Sequence, residues 1–486
     1  MTETLTTDTP PGNWQSLPPS GHERTKDLWL AEARELARLA GPIIVTQLAQ
    51  MGVGTVDVLM LGALSKEALA ASALGLSLFY GMWLFGMGPA VAVSPIIAQI
   101  LGARRNGAAQ VRATVRMALW AVIMMSPALM LFLWLTEDIL LAIGQPAELS
   151  REAGAFACIL ALGLPFTLAF NVLRGYATAL SLPNAPLAVM GLTIVFNALA
   201  GYALIFGHFG APRLGLIGAG IASTISFAFS LLAMIAAILV IPELRRYRIF
   251  RRFGKPAWQR LIEIFRLGMP IGLTMIFEAM FFNTGTLMMG YFGTSAVAAH
   301  QIALNVVALA FMVPMGLATA ATVRVGLAAG AGDKARVRRA GGAAMGMGIC
   351  FMSICGILMA FFPHRIAAFY IDGHAPGNAE VIAMAIMFLR VGALFQLFDS
   401  LQVTAALSLR GLKDAAFPMW LAGGSYWLIG FPAALLLAFG FDLEGFGVWL
   451  AFLISLVAAA AAMSARFAYL SGAIGAGPLL RIRSGN

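Results

Sequence analysis

Residues 36–62 read LARLAGPIIVTQLAQMGVGTVDVLMLG, and residues 264–290 read IFRLGMPIGLTMIFEAMFFNTGTLMMG. Each is an apolar run long enough to cross the hydrocarbon core of a bilayer as a helix, which takes about 20 residues. A shift of 228 residues carries Pro42 onto Pro270 and Gly62 onto Gly290, and the same shift carries Gly88 onto Gly316 and Gly102 onto Gly330. Glycines and prolines that match at one offset in separate places mark an internal duplication.

Outward from these two runs, charges and Gly/Pro turns bound ten more. The twelve predicted spans are 36–62, 68–100, 115–136, 153–178, 184–207 and 216–243, then 262–290, 296–328, 341–362, 378–407, 414–438 and 445–471. Across the 486 residues 60% are hydrophobic and 11% charged, whereas a soluble domain is nearer half apolar and a quarter charged. So little polar surface cannot cover so much apolar volume in water, and lipid must be the solvent. The expected fold is therefore an all-α integral membrane protein with twelve transmembrane helices in two pseudo-symmetric six-helix lobes. Six is even, so both halves enter from one side, as a parallel repeat about an axis along the membrane normal. The expected division is an N-terminal tail 1–35, an N-lobe 36–243, a basic linker 244–261, a C-lobe 262–471 and a C-terminal tail 472–486.

Basic residues sort by loop. Arg104, Arg105, Arg112 and Arg116 follow the second span; Arg245, Arg246, Arg248, Arg251, Arg252, Lys255 and Arg260 follow the sixth. Lys334, Arg336, Arg338 and Arg339 follow the eighth, and Arg410 with Lys413 the tenth, against only Lys66, Arg151, Arg213 and Arg365 in the opposite loops. By the positive-inside rule both termini are expected in the cytoplasm of a multi-pass membrane protein. The same clustering accounts for the net charge of +10 without nucleic acid, since no aromatic platforms interleave the basic clusters. Cys158, Cys350 and Cys355 lie in apolar runs and suggest neither disulfide nor metal. Residues 1–26 lack an apolar signal segment and read as a disordered tail; 27–38 read as an amphipathic lead into the first span. No GxxxxGK[ST], HExxH or GxSxG occurs, so neither an ATPase nor another enzyme is expected, and no cofactor beyond a coupling ion.

Charges inside spans cost several kcal/mol and ask for a function. Glu278 lies about 12 residues into the seventh span and Asp399 about 11 residues before Arg410, which places both roughly 16–18 Å deep. Two acids at one depth can share a proton or hold a Na⁺ between them. Asp57 shares a helical face with Gln47, Gln50 and Gly54, spaced by three, four and three residues; such a stripe lines a cavity or forms a second relay. The repeat puts Gln50 where Glu278 stands and Gly285 where Asp57 stands, so the main ion site is expected in the second half. Asn197, Asn283, His300, Gln301 and Asn305 are further cavity candidates, with Asn171 and Arg390 open between structural and functional roles.

The stretches FEAMFFNTGTLMMGYFGTSAVAAHQIALN (277–305), FMVPMGLATAATVRVG (311–326) and LFDSLQVTAALSLRGLKD (397–414) resemble the NorM-like branch of the multidrug and toxic compound extrusion family, as do VDVLMLG (56–62) and FNALAGYALIFGHFGAPRLGLIGAG (196–220). The resemblance implies a V-shaped pair of lobes, alternating access, and export of cationic, often aromatic compounds in exchange for inward H⁺ or Na⁺. It also implies cation coupling at Glu278 and Asp399 and an important first-lobe acid at Asp57. One departure is Gly201, where the family often carries a second Asn or Asp after Asn197. A monomer in a bacterial inner membrane, acting on small amphipathic molecules, is the corresponding expectation. The alternative is a flippase for a lipid-linked saccharide or other amphipathic metabolite, which would need several basic residues in mid-span.

Overall fold

The computed structural model describes residues 25–103, 107–251, 253–371 and 378–472; the expected tails up to residue 24 and from residue 473 lie outside these. In lipid every backbone N–H and C=O must find its partner within the protein, and a helix does this inside one segment. Accordingly the described residues contain no strand and twelve helices long and apolar enough to span. They are α1 Lys26–Leu64, α2 Lys66–Gly102, α3 Ala108–Trp134, α4 Ala147–Ala179, α5 Asn184–Phe206 and α6 Gly215–Val240, then α7 Trp258–Phe292, α8 Thr294–Gly330, α9 Lys334–Phe361, α10 Asn378–Gly411, α11 Ala416–Gly440 and α12 Glu444–Leu470. The amphipathic lead is simply the first turns of α1.

Contacts divide the chain inside two helices rather than in the basic linker. One compact unit holds Val45–Gly272; the other holds the described residues up to Ile44 and those from Leu273 onward. In the first unit α4 is the hub and packs on α2, α3 and α6; in the second α10 packs on α8, α9 and α12. The helices of the same rank thus do the same work in each half, as a duplication requires.

Without a hydrophobic drive between helices in lipid, close packing relies on small residues. In the first unit a Cβ on Gly88 would lie 2.2 Å from the Gly268 carbonyl oxygen, and one on Gly218 would lie 2.3 Å from the Leu204 carbonyl oxygen. In the second, a Cβ on Gly316 would lie 2.3 Å from Ile44 Cγ1. The linker is fastened to the first unit: Tyr176 Oη donates to the Leu244 carbonyl at 2.7 Å, Arg112 Nε to that of Tyr247 at 3.1 Å and Trp120 Nε1 to that of Phe253 at 3.1 Å.

Two local departures from regular helix matter below. α2 breaks at Ala92, just after Pro89, between Lys66–Val91 and Val93–Gly102. α11 contains two π-helical stretches, Gly424–Gly430 and Leu436–Gly440.

The second unit also buries an ion pair. Glu32 of α1, 1% exposed, accepts from Arg324 Nε of α8 at 2.7 Å, with Arg336 Nε 3.8 Å from its other oxygen. Neither charge was anticipated as buried, since both lie within a turn or two of an expected span end. Breaking one side of such a pair strands the other charge, so Glu32→Ala should cost about 3–5 kcal/mol. A clear fall in the detergent-solubilised melting midpoint is expected, with much of it restored when Glu32 and Arg324 are both replaced by Met. An unchanged midpoint in Glu32→Ala would mean that the pair is hydrated.

Candidate functional site

The second unit gathers its polar groups around α10. Asp399 is 5% exposed, and Gln396 and Gln402 stand three residues to either side of it on the same helical face. Both glutamines and the adjacent Ser400 are buried, and Gln396 Oε1, Gln402 Oε1 and Ser400 Oγ have no hydrogen-bond partner. α7 brings Glu278 to the same place: its charge acts on that of Asp399 and on that of Arg410, and the Tyr426 hydroxyl faces its carboxyl. Tyr426 comes from the π-helical stretch of α11, is fully buried, and makes no hydrogen bond of ordinary length. Buried polar groups are normally paired, so these oxygens are exceptions; the Gln396 amide and the Ser400 hydroxyl lie against α9, at Met359 and Gly348. Two carboxyls, a tyrosine hydroxyl and one opposing guanidinium can exchange a proton or a small hard cation.

In the first unit Asp57 accepts from Ser223 Oγ of α6 at 3.0 Å. Asn197 of α5 faces the same carboxyl, fully buried, with both amide atoms unpartnered. The family departure at Gly201 has a steric reading: a Cβ there would lie 2.9 Å from the Met60 sulfur, which occupies the space a polar side chain would need. Gln47 and Gln50 meet a residue that sequence reasoning missed. Arg174 Nη1 of α4 donates to Gln47 Oε1 at 3.0 Å and to Gln50 Oε1 at 3.2 Å. Arg174 lies four residues from the expected end of the fourth span, where an arginine reads as snorkelling to the interface; the two glutamines on the α1 stripe were the available signal.

The remaining candidates fall apart from these two clusters. Asn283 Nδ2 donates to the carbonyl of Ala279 in its own helix at 2.8 Å. His300 is wholly buried, with Nε2 3.1 Å from Thr286 Oγ1 and its ring against Trp449 and Phe452, so it packs the core of the unit. Asn305 Oδ1 accepts from Tyr370 Oη at 3.0 Å, and Gln301 and Arg390 are exposed. Asn171 donates to the Thr167 carbonyl within α4. Among the described residues no three of His, Cys, Asp or Glu cluster as a metal site would need.

Comparison with known proteins follows the same lines. The MatE family model matches residues 42–203 and again 270–436, the two matches starting 228 residues apart. A protein of Mesorhizobium japonicum named "Probable multidrug resistance protein NorM" is 40% identical over 449 residues, covering 92% of this chain and 96% of its own. Its namesake in Pseudomonas aeruginosa is 37% identical over 420 residues, 86% of each chain. Among solved structures, the eukaryotic MATE transporter AtDTX14 superposes with a TM-score of 0.79 at 22% identity, over 90% of this chain and 96% of that one. A MOP-superfamily transporter from Pyrococcus furiosus superposes with a TM-score of 0.81 at 20% identity, over 93% and 99%. At these identities the two structures speak for the fold alone.

The Asp57–Ser223 contact is open to a double-mutant cycle. Asp57→Asn and Ser223→Ala should be non-additive in thermal stability, with a coupling of roughly 0.5–3 kcal/mol. Additive effects would show that the two side chains do not share a bond in the membrane.

Proposed function

This chain belongs to the MatE family, and from that premise we propose that it is a secondary active multidrug exporter that exchanges cationic, often aromatic compounds for inward H⁺ or Na⁺. It is a multi-pass membrane transporter and not an enzyme. The observation that carries the coupling is the meeting of Glu278, Asp399 and the Tyr426 hydroxyl in the second unit. The names of the NorM relatives support the drug-export half.

Two acids in a low-dielectric interior repel each other and are stabilised by whatever brings positive charge between them. A proton or Na⁺ entering from outside does so, and it weakens the pull of Glu278 on Arg410. The occupied and empty sites then favour different arrangements of α7, α10 and α11, and transport alternates between them. Each charge that enters down 100 mV supplies about 2.3 kcal/mol, worth roughly a fifty-fold concentration ratio. One or two ions per cycle therefore suffice for export. Asp57, with its oxygen-bearing neighbours Ser223 and Asn197, is the acid in the first unit toward which a positively charged substrate turns. The protein works as a monomer in a bacterial inner membrane with both termini in the cytoplasm.

Ethidium efflux from energised cells tests this reading, with Na⁺ and pH jumps applied separately. Wild type should respond to one ion, and Glu278→Gln and Asp399→Asn, expressed to equal levels, should lose that response by tenfold or more. Full ion-driven efflux in Glu278→Gln would remove the acid pair from the coupling mechanism.

A further inference from the structure

The loop between α6 and α7, residues 241–257, carries six basic residues and one acid, Glu243. Its backbone is pinned to α3 and α4, by Tyr176 at Leu244, by Arg112 at Tyr247 and by Trp120 at Phe253. The amide of Ala257 adds a fourth pin, donating to the Met117 sulfur at 3.3 Å. Leu244, Tyr247 and Ile249 are buried, while Arg245, Arg246, Arg248, Arg251 and Lys255 are exposed. Arg248 takes a φ of 49°, in the left-handed region that a residue with a side chain rarely enters, so the surrounding contacts and not its own preference set this course. The loop is thus a strap with apolar residues inward and basic ones outward. Among the described residues no carboxylate lies within 4 Å of Arg245, Arg248, Arg251 or Lys255.

The strap lies at the level of lipid headgroups. α3 has 27 residues, roughly 40 Å of helix against a hydrocarbon core of about 30 Å, so its ends project into the headgroup region. The strap is bonded along the first half of α3, from Arg112 to Trp120. Trp258, 64% exposed where the strap enters α7, has the place of an interfacial anchor. Cations without a fixed counter-charge, held flat against a bilayer, meet lipid phosphates before any others. Nucleic acid would need exposed rings to stack on, and the rings of Tyr247 and Phe253 are turned to those of Tyr176 and Trp120. We propose that the outward face of this strap is a docking surface for the headgroups of anionic phospholipids in the leaflet beside it, which fixes the level of the first unit in the membrane. The surface stands apart from the buried acids and does not depend on which ion or compound is moved.

Native mass spectrometry of the full chain in neutral detergent, titrated with phosphatidylglycerol and with phosphatidylcholine of the same acyl chains, gives an apparent Kd for each. Wild type should bind phosphatidylglycerol about tenfold or more tightly than phosphatidylcholine, and the ratio should shrink when salt is raised about tenfold. Arg248→Gln with Arg251→Gln should remove most of the ratio. Arg245→Gln with Lys255→Gln should do the same, so that a misfolded first pair leaves the test standing. Lys334→Gln with Arg338→Gln, which removes two exposed charges at the start of α9, should keep the ratio. Equal Kd values in wild type, or a ratio that survives in the folded strap variants, overturns the inference. So does an equal loss in the α9 pair, which would spread the attraction over the whole basic surface. Excess glycerol 1-phosphate should leave the lipid bound; if it displaces phosphatidylglycerol, the strap takes free anions and the lipid surface falls. An RNA oligonucleotide that binds wild type more tightly than phosphatidylglycerol, and not the strap variants, would give the surface to nucleic acid instead.

Discussion

A carboxylate inside hydrocarbon is tolerated only when something repays its lost hydration, and this chain holds three such acids with too few fixed partners to do so. Asp57 has one hydroxyl donor at hydrogen-bond distance. Glu278 and Asp399 have each other, a guanidinium and a tyrosine hydroxyl that does not close the gap. A protein built for rigidity would pair these groups completely or replace them with leucine. Here these acids sit among helices that pack through glycines against backbone. Incomplete solvation of a few charges inside an otherwise well-packed scaffold leaves them sensitive to any positive charge brought beside them.

The helices and the duplication were legible because lipid removes the alternatives: an apolar run of sufficient length has little choice but to span. The acids were legible for the same reason, each being conspicuous in its run. What surrounds them was not. Arg410 sits beside Lys413 and reads as one more cytoplasmic charge, yet its guanidinium acts on Glu278. Tyr426 lies among apolar residues and looks like packing. Arg174 and Arg324 sit close enough to span ends to pass for interfacial anchors. Conversely His300, conspicuous as a polar residue, is walled in by Trp449 and Phe452, a matter of which helices are neighbours rather than of what lies near it in sequence.

The two halves share an architecture and differ in chemistry. α4 and α10 occupy the same rank and play the same hub role, but α4 contributes Arg174 to its site while α10 contributes both Asp399 and Arg410. The first unit sets its acid and its arginine along one stripe of α1; the second draws its acids and arginine into one cluster. One scaffold used twice thus holds two kinds of polar site, and the second half need not repeat what the first can do.

The π-helical stretches of α11 give this divergence a countable form. α5 and α11 are the fifth helices of the two halves, with 23 and 25 residues. A π-bulge holds one residue more than the α-turn it replaces, and α11 has two such stretches. The excess of two residues matches these two stretches, while the loops that follow differ, eight residues (207–214) after α5 against three (441–443) after α11. The hydroxyl that faces Glu278 lies inside the first of these stretches, so a local change of helical pitch, and not only a change of side chain, separates the second half's acid cluster from the first half's glutamines.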